Sequence, residues 1–149
     1  MNSGELCNRE VVIIEESESV LSAAKLMRTY HVGDLVVVEK KEGLAFPVGI
    51  LTDRDIVIEL IASEVDFDAV RVGDVMSSDL LTVSGEEAIA DTVKLMRAKG
   101  VRRVPVVNKL GVLEGIISVD DLIELLAEEM HDLVDLIGRE RNKEHKKCV

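Results

Sequence analysis

The chain has 149 residues and a mass of 16.4 kDa; 47% hydrophobic and 32% charged residues give a globular balance that excludes a disordered or collagen-like chain. A net charge of -11, with Tyr30, Phe46 and Phe67 as the only aromatics, argues against nucleic acid. Such ligands need clustered Lys and Arg for the phosphates and aromatic faces for the bases. The core must be aliphatic, since Val, Leu and Ile supply 51 residues.

Elements follow in chain order. Val11 to Ile14 predicts a short strand, and Ser17 to His31 a helix with Val20, Ala24 and Met27 on one face. Leu35 to Val38 and Val48 to Leu51 are aliphatic runs joined by a Gly-containing loop, hence paired strands, and Asp53 to Ser63 is a second helix. Residues 65–74 read as a linker. Leu81 to Val83, Glu86 to Lys99, Val104 to Val107 and Val112 to Ile117 repeat the pattern, with Gly100 placed to end a helix in the left-handed region. A last helix starts at Val119 and runs towards Ile137, carrying Leu122, Leu126, Met130, Leu133 and Ile137 as an apolar stripe. The charged tail from Gly138 is expected to be frayed and solvated.

The chain duplicates itself. Lys25-Leu26-Met27-Arg28 recurs as Lys94-Leu95-Met96-Arg97, an offset of 69, and Gly49-Ile50-Leu51-Thr52 falls on Gly115-Ile116-Ile117-Ser118 at 66. The difference lies in one hairpin loop, 39–47 against 108–114. Each repeat reads β-α-β-β-α, an α/β fold, and a unit of about 60 residues has little core of its own. The halves should therefore pack together about a pseudo-twofold axis, with boundaries 6–64 and 75–127 and a C-terminal extension 128–149.

Two repeated loops carry the chemistry. Thr52 with Asp55, and Ser118 with Asp121, each place a hydroxyl three residues before an aspartate at a helix start, the spacing of a capping box. A helix start also offers N–H groups to a phosphate, and a carboxylate beside it suits a ribose diol. The arrangement suggests paired nucleoside-phosphate sites. Asp53, Asp55, Asp120 and Asp121 read as caps or solvated charges rather than a catalytic or metal cluster, and His31, His131 and His145 lack partners at a useful spacing. Cys7 and Cys148 have neither disulfide-framework nor zinc-ribbon spacing. No secretory signal and no run of about 20 apolar residues is visible. No catalytic residue, no metal, no membrane and a cytoplasmic setting are expected.

The duplicated loops, together with Val72-Gly73-Asp74-Val75-Met76 and Gly100-Val101-Arg102-Arg103-Val104-Pro105-Val106, resemble a tandem pair of cystathionine β-synthase (CBS) domains over residues 6 to 127. The resemblance implies a stand-alone, non-catalytic sensor with clefts for AMP, ADP, ATP, S-adenosylmethionine or NAD(H). These would act as regulatory ligands rather than cofactors. It also implies a flat homodimer and an effector protein in another chain. By the family pattern Asp55 and Asp121 hold ribose, Thr52 and Ser118 contact ribose or phosphate, Thr82, Arg102, Val104 and Pro105 line the cleft, and Arg54 reaches phosphate. Ile13, Gly33 and Val36 replace Thr82, Arg102 and Pro105 in the first repeat, and Asp120 replaces Arg54 in the second, so the sites should differ. With Arg102 assigned to the Ser118–Asp121 site, Asp121 is expected to matter more than Asp55. The rival reading is an interaction protein of the same fold that has lost its ligand and docks on a partner enzyme.

Overall fold

The computed structural model describes residues 1–147, with side chains as far as Glu144. Cys148 lies outside the described residues, and so do the side chains of His145, Lys146 and Lys147. The chain forms two compact units, residues 1–117 and the C-terminal unit from Ser118.

The first unit opens with one helical turn, α1 (Ser3–Leu6), capped by Asn2. Strand β1 (Ile13–Glu15) leads into α2 (Val20–Tyr30), whose start is fixed by the Ser19 hydroxyl accepting the Ser22 N–H at 3.1 Å. Its inner face buries Val20, Ala23 and Met27, and His31 ends it in the left-handed region at φ 53°. The same device closes α5 (Ile89–Lys99), where Gly100 takes φ 73°. Both helix ends fall where the sequence places them. Histidine accepts a conformation that glycine adopts without steric cost.

Four consecutive aliphatics, Leu35 to Val38, are all buried, so β2 (Asp34–Lys41) is covered on both faces at its start. It pairs parallel with β1 and antiparallel with β3 (Leu44–Thr52), in the order β1-β2-β3. The hairpin is longer than expected. Only Glu42 and Gly43 turn, at φ 52° and 79°, and most of 39–47 is strand. Two positive φ values in a two-residue turn match the twist of the flanking strands, which lets pairing run past the core. Pro47 stands opposite Val38, at an irregularity in register where a ladder tolerates a residue with no N–H.

After β3 the chain turns into α3 (Asp53–Ile56), continued by a π-helical stretch over Val57–Ile61. A short turn, α4 (Val72–Val75), precedes β4 (Val83–Ser84); β5 (Arg103–Val107) and β6 (Leu113–Ser118) complete a second sheet in the order β4-β5-β6.

The two repeats are interlocked by their entry segments. Asn2 bridges Ala88 as Arg71 bridges Ser19, and Asn8 bridges Ile116 as Ser77 bridges Ile50. These are the same bridges made twice at matched positions. The segment before each repeat therefore completes the other one. Val72, in the stretch read as linker, is fully buried in the cluster of Leu35, Val37 and Leu51. At the other end the Ser3 and Thr92 hydroxyls meet at 2.6 Å with both residues buried. Two small sheets with little core apiece gain burial by exchanging these segments.

The second unit is α6 (Val119–Lys147), 29 residues and about 44 Å long at the usual rise. It runs ten residues past the Ile137 of the sequence reading. The tail is helical, because Arg, Glu and Lys are good helix formers and nothing in 139–147 breaks the pattern. Arg139, Glu140, Arg141, Lys143 and Glu144 are exposed, in keeping with a solvated tail.

Candidate functional site

The two hydroxyl–aspartate loops fold alike. Thr52 Oγ1 accepts the Asp55 N–H at 3.1 Å while Asp55 Oδ2 accepts the Thr52 N–H at 3.0 Å. In the C-terminal unit Ser118 Oγ and Asp121 Oδ2 make the same pair of bonds, at 3.1 and 3.0 Å. Each box satisfies helix-start donors and fixes its carboxylate through Oδ2, with Oδ1 taking no part in the box.

Within the first unit, Thr52 and Asp55 open onto a cavity of about 280 Å³. Its far side comes from the second repeat: Ser77, Asp79, Leu80 and Leu81 from the stretch before β4, and Val101, Arg102 and Arg103 from the start of β5. The reciprocal bridge of Ile50 to Ser77, with bonds of 3.1 and 2.9 Å, holds the two sides together. Larger hollows occur elsewhere. One of about 440 Å³ lies between α2 and the β1 edge, and one of about 680 Å³ beside Arg9 and Lys109. Neither includes a repeated loop, so volume alone does not identify the site.

Asp34 and Arg103 occupy matched positions of the two repeats and meet across the cavity wall, Arg103 Nε lying 2.7 Å from Asp34 Oδ2. That oxygen is buried and takes no aligned hydrogen bond, so the guanidinium contact is its compensation. Burial raises the Asp34 carboxyl above the 3.8 of an unperturbed aspartate; Arg103 opposes the rise and Asp53 adds to it. The folded state thus holds this proton more tightly than the unfolded chain. Its stabilising contribution is full below the ordinary value and is lost as pH rises through the raised one. The stability difference between wild type and Asp34→Asn is therefore expected to move in favour of wild type on acidification from neutral pH. Denaturant titrations across that range check this; a difference that does not vary with pH contradicts it.

Thr52, Asp55 and Arg102 are thus brought together. Thr82 is exposed and Arg54 is exposed, and neither lines the cavity. Val104 and Pro105 are fully buried in β5 and also lie off its wall. Arg102, which the sequence reading gave to the Ser118–Asp121 loop, lines the Thr52–Asp55 cavity, where the entry-segment exchange sets the start of β5 against the first repeat's loop. Asp34, Arg103 and Asp79 were missed. Their signal was an opposite-charge pair, Asp34 and Arg103, at the offset of 69. Cys7 is buried, and burial raises its thiol, which keeps it protonated and inert. No group of His, Cys, Asp and Glu among the described residues is arranged to hold a metal ion. No described helix is long and apolar enough to cross a membrane.

The CBS domain family matches residues 4–62 and 72–128. The chain belongs to the CBS domain family. A CBS domain pair is a regulatory module. An uncharacterised protein of Methanopyrus kandleri is 34% identical over 82% of this chain, which spans 61% of that protein's length. Hypoxic response protein 1 of Mycobacterium tuberculosis is 30% identical over 89% of each chain. Among solved structures, a hexameric CBS-CP12 protein from bloom-forming cyanobacteria is 32% identical, with a TM-score of 0.72 over 83% of this chain and 66% of its own. A CBS domain pair in complex with 5-methylthioadenosine and S-adenosyl-L-methionine shares the fold, with a TM-score of 0.74 at 19% identity over 87% of this chain and 98% of that one.

Proposed function

We propose that this CBS pair is a non-catalytic adenosine-ligand sensor that regulates a separate effector protein. The observation that carries the reading is the cavity that joins Asp55 of one repeat to Arg102 of the other. Asp55 Oδ1 would accept from a ribose diol, while Leu80, Leu81 and Val101 give an apolar wall for the base. A ligand spanning that cavity would tie the repeats together, which is how binding here would alter a surface read by a partner. The second loop, Ser118 with Asp121, supplies the elements of a related site. Calorimetry of the full chain with AMP, S-adenosylmethionine and 5-methylthioadenosine tests the reading. At least one is expected to bind with a dissociation constant of order micromolar, about -8 kcal/mol. No heat from any of them at millimolar concentration would favour the interaction-protein reading.

We further propose a homodimer through α6. Leu126, Met130, Leu133 and Ile137 recur every three or four residues along it, and all four are exposed. A stripe this long is an association surface or a liability, and a twofold pair is the commonest closed solution. Light scattering is expected to find a dimer for wild type and a monomer for Leu133→Glu/Ile137→Glu. A monomeric wild type, or a double variant that stays dimeric, would remove α6 from the interface.

A further inference from the structure

Every backbone N–H that the start of α3 could offer an anion is already taken. The Asp53 N–H donates to Gly33 O at 2.9 Å, the Arg54 N–H to Asp53 Oδ1 at 2.8 Å, and the Asp55 N–H to Thr52 Oγ1 at 3.1 Å. The close approach to Gly33 is built in, because a Cβ there would stand 3.1 Å from Asp53 Oδ2. The Asp53 carboxylate itself is exposed at this helix start and would repel a phosphate chain. The expectation of free N–H groups at this terminus is therefore not met.

The wall is equally restrictive. It carries three carboxylates, Asp34, Asp55 and Asp79, against two guanidiniums, Arg102 and Arg103. Asp34 holds Arg103, and Asp79 is held by Lys99. Among the described residues this leaves one carboxylate, Asp55, for a diol, and one cation, Arg102, for a negative group. The volume of about 280 Å³ lies just below the usual range of ligand cavities, about 300 to 1,000 Å³.

From this pairing we infer that the Asp55–Arg102 cavity selects a nucleoside bearing no more than one 5′-phosphate and discriminates against di- and triphosphates. The inference rests on the adenosine-ligand reading above and sharpens it. Asp34 is the specificity-determining residue, since it withholds Arg103 from any second phosphate.

Calorimetry of the full chain with adenosine, AMP, ADP and ATP, at one pH and ionic strength, tests it. Adenosine and AMP are expected to bind, and ATP at least tenfold more weakly than AMP. ATP binding as tightly as AMP overturns the inference while leaving the adenosine reading intact; silence from all four overturns the inference, and overturns the adenosine reading as well only if S-adenosylmethionine and 5-methylthioadenosine are silent too. Asp34→Asn, which releases Arg103, is expected to narrow the preference for AMP over ATP at least threefold; an unchanged preference overturns the role given to Asp34. Arg102→Ala, at an exposed position that does not threaten folding, is expected to weaken AMP at least fivefold and adenosine less than twofold. Equal weakening of AMP and adenosine by Arg102→Ala, or no effect on AMP, overturns it.

Discussion

Replacing Leu51 by alanine is expected to lower the stability of this protein by about 2–5 kcal/mol, the range for deleting a buried leucine side chain. Leu51 has no exposed surface and sits in the cluster formed by Val20, Leu35, Val37, Leu60 and Val72. It faces Leu35 across the β2–β3 ladder and lies one residue before Thr52. The cavity left behind would open where the first repeat meets the entry segment of the second, and aliphatic neighbours held in paired strands have little freedom to refill it. Urea denaturation should show a lower midpoint with an unchanged slope. A loss below about 1 kcal/mol would mean that this core collapses easily around the gap. The interlock described above would then be looser than the buried Val72 indicates.

Asp55→Ala should weaken adenosine-ligand binding by roughly 10- to 100-fold, the worth of hydrogen bonds to a charged group at about 1.5–3 kcal/mol. The same change removes half of the Thr52–Asp55 box, so some loss of stability is expected as well, about 1 kcal/mol. Asp55→Asn separates the two effects, since it keeps an acceptor for the Thr52 N–H but loses the charge that a diol would feel. Binding is expected to fall in both variants and stability mainly in the alanine one. Asp121→Ala is expected to cost less affinity than Asp55→Ala, because Arg102 belongs to the Asp55 cavity. Calorimetry with AMP measures all three, and a larger loss from Asp121→Ala would return the principal site to the second loop.

Much of the architecture was legible in the residues themselves. The duplication at offsets of 69 and 66 sets the family and the order of elements in both repeats. His31 and Gly100 mark helix ends within a residue, because the left-handed region is a local property of one residue, whereas both helices start three residues later than Ser17 and Glu86, the starts expected from the sequence. The Thr52–Asp55 and Ser118–Asp121 boxes were likewise readable as local chemistry.

What lay between repeats was not. Residues 65–74 look like a polar linker, yet Val72 is fully buried, because the cluster it joins is drawn from the first repeat, from Ile14 to Leu60. Val104 and Pro105 share a strand with Arg103, but both are fully buried, so this part of β5 is covered on both faces by tertiary packing that their place in a motif does not reveal. The sequence by itself determined a duplicated α/β chain with two capped aspartate loops, since periodicity, caps and repeats are written in neighbouring residues. Only the tertiary structure decided which arginine faces which aspartate. That choice depends on the exchange of entry segments between the repeats, a long-range burial of aliphatic surface that no local pattern encodes.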